Sequence, residues 1–124
     1  MIRFCIILTL FICSCNKVDQ YVLNVNTKSP NPFFIFEYID NELKKVDSSF
    51  NESGKHIFNF KNAKHQVYWC GESTNRCFVF IAKPIGECQV NVNEFDVTKM
   101  KVEKDSVNII LHDFFQKRVN FIET

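Results

Sequence analysis

From Gln20 onward the sequence is a succession of short β-prone runs, each cut off by Asn, Asp, Ser, Gly or Pro. Tyr21, Leu23 and Val25 alternate with Asn24 and Asn26, the pattern of a half-buried strand. Ser29-Pro30-Asn31-Pro32 ends it, Phe33 to Ile39 forms the next strand, and Asp40-Asn41 turns the chain into Glu42 to Val46. Leu43, Val46 and Phe50 also fit a helical spacing, so a short helix over 41–50 is the alternative there. His56 to Phe60, Gln66 to Cys70 and Cys77 to Ala82 follow, and Pro84-Ile85-Gly86-Glu87 turns into Cys88 to Val92. Phe95 and Val97 share one parity, Met100 and Val102 the other, which predicts a strand over 95–102 with a bulge or bend near Thr98. Val107 to Leu111 and Val119 to Ile122 read as the last strands, joined by a short connection or helical turn over 113–117. About nine strands at this spacing predict an all-β fold, a small antiparallel β-sandwich of eight or nine strands, with a small barrel as its variant.

The residues ahead of these strands read differently. Met1-Ile2-Arg3 is a basic start, and residues 4–13 are apolar. That run is too short to cross a membrane, which takes ~20 residues, and it suits the apolar core of a secretory signal. No A-x-A-like cleavage site ends it. Instead Ile12-Cys13-Ser14-Cys15 resembles the lipobox of bacterial lipoproteins: an aliphatic residue, a tolerant position, a small residue, then cysteine. The resemblance implies a diacylglyceryl group on the Cys15 thiol, cleavage before Cys15, and usually N-acylation. Each buried methylene adds ~0.8 kcal/mol, and stable anchoring takes more than one chain. The expected organisation is a signal peptide over 1–14, a lipidated cysteine and short tether over 15–19, and a single domain over 20–124. By the same resemblance, Asn16 after the cysteine, rather than Asp, implies the outer membrane of the bacterial envelope over the inner one. An ordinary signal peptide with incidental cysteines, or a short anchor left in place, are the competing readings.

Charge narrows the partners. The chain has 15 Lys and Arg against 14 Asp and Glu. Arg3 is the one charged residue before Cys15, so the remainder is formally neutral and offers no electrostatic case for nucleic acid. Of the six cysteines, Cys5 and Cys13 leave with the signal and Cys15 takes the lipid, which leaves Cys70, Cys77 and Cys88. An exported chain meets oxidising conditions, so one disulfide and one leftover thiol are expected. Cys70–Cys77 is the favoured bridge, because Gly71 to Arg76 read as a hairpin loop that returns the chain beside itself. Cys77–Cys88 is disfavoured: if Lys83 and Cys88 flank the next turn, the separation along the strand exceeds the ~7 Å limit between Cα atoms. Three free thiols are the alternative.

Asp47-Ser48-Ser49, Ser53-Gly54-Lys55, Phe58-Asn59-Phe60 and Tyr68-Trp69 occur in an order that resembles the carboxypeptidase regulatory-like and transthyretin-like β-sandwich modules of bacterial surface lipoproteins. The resemblance covers residues 35–70 or so, implies a sandwich, and carries over no catalytic residue.

No residues assemble into legible chemistry. His56, His65 and His112 lack the spacings of metal sites. His56 and His65 would come near each other only on a hairpin of the fourth and fifth strands. His65 sits on the opposite strand parity from Cys70, a poor base for a thiol nucleophile. The carboxylates are scattered, and Asn51-Glu52-Ser53 is an isolated sequon. No catalytic residue, metal ligand or cofactor is assigned. What stands out is Phe: there are 14, against three Gly and three Pro. Phe33-Phe34-Ile35-Phe36 and Phe78-Val79-Phe80-Ile81 are apolar on both parities, where a strand with one wet face should alternate. Either a second layer covers the outer face, or an apolar patch carried by Phe33, Ile35, Phe78 and Phe80 is a binding surface. The expected function is a membrane-anchored, non-enzymatic binding module of the envelope, with another envelope protein or a toxin as partner, in an inhibitor, immunity or accessory role. A metal- or thiol-dependent enzyme built on His56, His65 and the cysteines is one alternative, and a purely structural lipoprotein the other.

Overall fold

A computed structural model describes residues 19–93 and 99–123. Eight strands, β1 (Gln20–Asn26), β2 (Phe33–Ile39), β3 (Glu42–Ser49), β4 (Lys55–Lys61), β5 (Gln66–Ser73), β6 (Arg76–Ala82), β7 (Gly86–Asn91) and β8 (Lys101–Glu103), are followed by one helix, α1 (Ser106–Glu123). The strands form two four-stranded sheets, ordered β4-β1-β7-β8 and β3-β2-β5-β6. The β-sandwich-like two-sheet architecture read from the sequence is therefore present, with a helix at its C-terminal end.

Strand β1 is the clearest case of pattern becoming structure. Tyr21, Leu23 and Val25 are buried between the sheets, and Asn24 and Asn26 face outward beside Glu87 and Asn91 of β7. The β2–β3 hairpin closes on Asp40 and Asn41, both at positive φ (52° and 65°), the conformation of a two-residue primed turn. Residues 42–49 are strand, and the helical alternative is not adopted. A bulge between Ile35 and Phe36 shifts the β2–β3 register. The core joins Tyr21, Leu23, Phe33, Ile35, Phe58 and Phe80 with smaller residues from both sheets.

Three expectations are corrected. The sandwich is not wholly antiparallel, because β1 pairs with β7 in parallel. Strand β6 lies in one sheet and β7 in the other, so no hairpin dictates their direction. Of the residues expected as a long strand over 95–102, Lys101 and Val102 lie in the short strand β8; Phe95, Val97 and Thr98 lie outside the described residues. The final two strands are instead one helix. Its start is set by Asp105, whose Oδ1 accepts the Val107 and Asn108 N–H groups at 3.0 and 3.2 Å. The Asp105 carbonyl takes the Ile109 N–H at 2.9 Å, the first turn of the helix. Lys104 at φ 69° swings the chain out of β8 into that cap.

Candidate functional site

Strand β6 is an edge, paired on one side with β5. On its other side lies α1, and between strand and helix runs a cavity of about 320 Å³. It wraps the β6 edge, taking Val79 and Cys77 from the outer face and Phe78 and Phe80 from the inner face. Cys88 and Val90 of β7, with Met100 and Val102 at β8, form the opposite wall. Asn108, His112 and Phe115 close it from the helix. These three recur at helical spacing, so one face of α1 covers the open side of the sandwich.

The inner end is a buried polar network. Tyr21 Oη donates to Asp105 Oδ2 at 2.5 Å, and Asn108 Nδ2 approaches Tyr21 Oη at 3.0 Å and Asp105 Oδ2 at 3.1 Å. Asn108 also reaches the strand edge: its Nδ2 donates to the Ile81 carbonyl at 2.9 Å, and its Oδ1 accepts the Ile81 N–H at 2.7 Å. Burial pushes the Tyr21 phenol far up, with the hydrogen bond to Asp105 adding to it. Burial would also raise the Asp105 carboxyl, but hydrogen bonds from Tyr21 and Asn108 and the charge of Lys83 outweigh it and hold it below the ordinary carboxylate value. Cys88 is pushed up to about 12, chiefly by burial and then by the Asp105 charge. At neutral pH it is a thiol, not a nucleophilic thiolate. His112 Nε2 lies 3.0 Å from the Met100 carbonyl and so carries the proton that bonds it. The polar groups of the cavity thus satisfy one another, and its remaining wall is aromatic and aliphatic.

The sequence-predicted site residues fall as follows. Phe33, Ile35, Phe78 and Phe80 are buried in the core, which corrects their reading as a binding surface. Their neighbours of opposite parity form the outer face of the same sheet: Phe34 and a buried Phe36, with rings 6.2 Å apart, then Tyr38, Trp69 and Val67. Tyr38 is 57% exposed and Val67 43%, and the Tyr38 and Trp69 rings lie 6.4 Å apart. Lys45 Nζ stands 4.0 Å over the Phe34 ring. Both parities are apolar because one serves the core and the other this face.

Cys70 and Cys77 are free thiols, so the expected bridge is not made. Cys70 pairs with Phe78 and Cys77 with Gly71. Residues directly opposite share a face, so the two thiols stand on opposite faces of the sheet. The distance argument against Cys77–Cys88 also fails in its premise, since those residues occupy different sheets and not one hairpin. Cys88 is a buried thiol beside Leu23. Cys15 and the signal segment lie outside the described residues.

His56 and His65 do not form a pair: β4 and β5 belong to different sheets, with His56 near the start of β4 and His65 beyond its end. His56 is 1% exposed, stacks on Phe33 at 4.8 Å and 19°, and bonds Ser49 Oγ through Nδ1 at 2.8 Å. Among the described residues no group of three or more His, Cys, Asp or Glu could hold a metal ion. Sequence reasoning missed Asp105, Asn108 and the helix that carries them; Asp105 as an N-cap just ahead of the apolar run from Val107 was the available signal. No family model matches the chain, and no curated protein matches it.

Proposed function

We propose that this chain is a lipid-anchored protein of the bacterial envelope, tethered through Cys15, that binds another envelope protein without catalysing a reaction. The observation that carries the reading is the outer face of the β3-β2-β5-β6 sheet, where exposed Tyr38 and Val67 and half-buried Phe34 and Trp69 form an apolar, largely aromatic surface beside Lys45. Large aromatic side chains anchor protein interfaces because they bury much area at little conformational cost. The lysine favours a partner that sets an acidic residue against it. The lipobox resemblance supports the tether, and the self-satisfied polar network supports binding over catalysis. The sandwich resembling regulatory-like modules is part of the same reading.

The test has two arms. Intact-mass measurement of the protein from the membrane fraction is expected to show a chain beginning at acylated Cys15; a chain keeping residues 1–14 rejects the tether. For the surface, a Tyr38→Ser and Val67→Ser variant is expected to lose an envelope partner that an Asn24→Ser and Gln89→Ser variant, altered on the other sheet, retains. Equal retention by both rejects the surface.

A further inference from the structure

The cavity between α1 and β6 is a second feature, and it does not rest on the partner surface just described. Its inner end is closed by buried residues, Asn108, Cys88 and Val90. At the other end Trp69, Cys77 and Phe115 are only half-buried and form a mouth. The helix advances ~10 Å from Asn108 to Phe115 at 1.5 Å per residue. A volume of about 320 Å³ spread over that length is a channel roughly 6 Å across.

Chemistry narrows what fits it. Among the described residues no Asp, Glu, Lys or Arg lines the channel. Asn108 is committed to Ile81, Tyr21 and Asp105, and His112 Nε2 to the Met100 carbonyl. A charged or strongly polar guest would lose its water there without gaining partners. An apolar guest is favoured, and the space exceeds the ~150 Å³ that accommodates one benzene. Elongated shape, a closed inner end whose polar groups already pair with one another, and a half-open aromatic mouth suit a flexible chain with its polar end left outside. Met100, unbranched and polarisable, adapts to such a guest along its length. We propose that this channel binds one unbranched acyl chain, terminal methyl toward Asn108 and Cys88, polar end at the Trp69–Cys77–Phe115 mouth.

Either a free fatty acid or a phospholipid could supply that chain, and the experiment separates them. The full-length protein is kept in cholate, which carries no acyl chain, and the alkylation rate of Cys77 is followed by mass spectrometry. Dodecanoic acid is expected to slow the reaction at least tenfold, and butanoic acid to leave it unchanged. Slowing by didodecanoyl phosphatidylcholine as well admits membrane lipid as a source; slowing by dodecanoic acid alone assigns the free acid. Val102→Trp, which fills the channel, is expected to abolish the protection. Should that variant fail to fold, the wild-type protein still decides: NMR contacts from the Val79, Val90 and Val102 methyl groups to the dodecanoic acid chain are expected. No slowing, equal slowing by the four-carbon acid, protection that survives in a folded Val102→Trp protein, or no methyl contacts would each overturn the proposal.

Discussion

The Asn108 carboxamide pairs with both main-chain groups of Ile81, accepting its N–H at 2.7 Å and donating to its C=O at 2.9 Å. One side chain of the helix therefore takes the place that a fifth strand would occupy beside β6. An open strand edge is a template for pairing with other chains, and covering it with a helix removes the hazard. The same amide holds Tyr21 and Asp105, so it joins the two sheets and the helix cap at one point.

Asn108→Leu is expected to be the most damaging single change in the helix. It leaves the Ile81 pair, and one partner each of Tyr21 and Asp105, unsatisfied in a buried setting. Unsatisfied buried groups cost ~1–3 kcal/mol each, and partial relaxation toward water puts the total at about 3 kcal/mol. Urea unfolding measures it. A loss below about 1 kcal/mol would mean that the amide is dispensable.

The thiols make a prediction about chemistry. Cys70 and Cys88 are fully buried, whereas Cys77 is half-exposed, with its Sγ 3.4 Å from the Thr74 carbonyl. Alkylation of the folded protein by iodoacetamide is expected to label Cys77 first, with Cys70 and Cys88 reacting only on unfolding. Burial raises all three thiols and Cys70 well above the ordinary value, so even Cys77 reacts more slowly than a free cysteine. Peptide mapping without reductant that recovers a Cys70–Cys77 bridge would reverse the assignment.

The alkaline side of the stability profile follows from Tyr21, Cys70 and Cys88. All three have folded values raised, by burial first in each case. A raised group contributes stability that is complete below its unfolded value and is lost as pH rises past it. The window opens near ~8.5 for the thiols and ~10 for the phenol. Melting temperature is expected to fall from about pH 9 upward, and Cys88→Ala to make that fall shallower without moving its onset, because Cys70 titrates from the same unfolded value. An unchanged slope in a folded Cys88→Ala protein would show that Cys88 contributes no linkage.

Much of this architecture could be read from residue pattern, and the exceptions have physical causes. Alternation in β1 and the Asp40-Asn41 turn are local signals, and they carried the first three strands. The partition of Phe33 from Phe34 across two faces could not be read, because both parities are apolar and only the pairing of whole sheets decides which is inside. The helix was hidden by composition. Val107, Ile109 and Ile110 are β-branched and suggest strand, but the Asp105 cap and the packing of buried Asn108 and half-buried Phe115 on one face outweigh that preference. The channel depends on that helix and was therefore illegible too.

His56 governs the acid side. Its Nδ1 bonds Ser49, its ring stacks on Phe33, and among the described residues Nε2 has no hydrogen-bond partner. Burial lowers its pKa, because a second N–H would point into apolar surroundings with its charge unpaired. A lowered group contributes stability present above its unfolded value, ~6.5 for histidine, and lost as pH falls through the folded value. The wild-type protein is therefore expected to lose stability steadily from about pH 6.5 downward, before the carboxylates titrate. His56→Phe keeps the ring stack and removes the proton, at the cost of the Ser49 bond. Its urea midpoint is expected to stay flat between pH 7 and 5 while that of the wild type declines. Parallel profiles for the two proteins would assign the acid sensitivity to other groups. Asp105, whose value is lowered below the ordinary carboxylate range, enters only at still lower pH, so the two contributions separate along the titration.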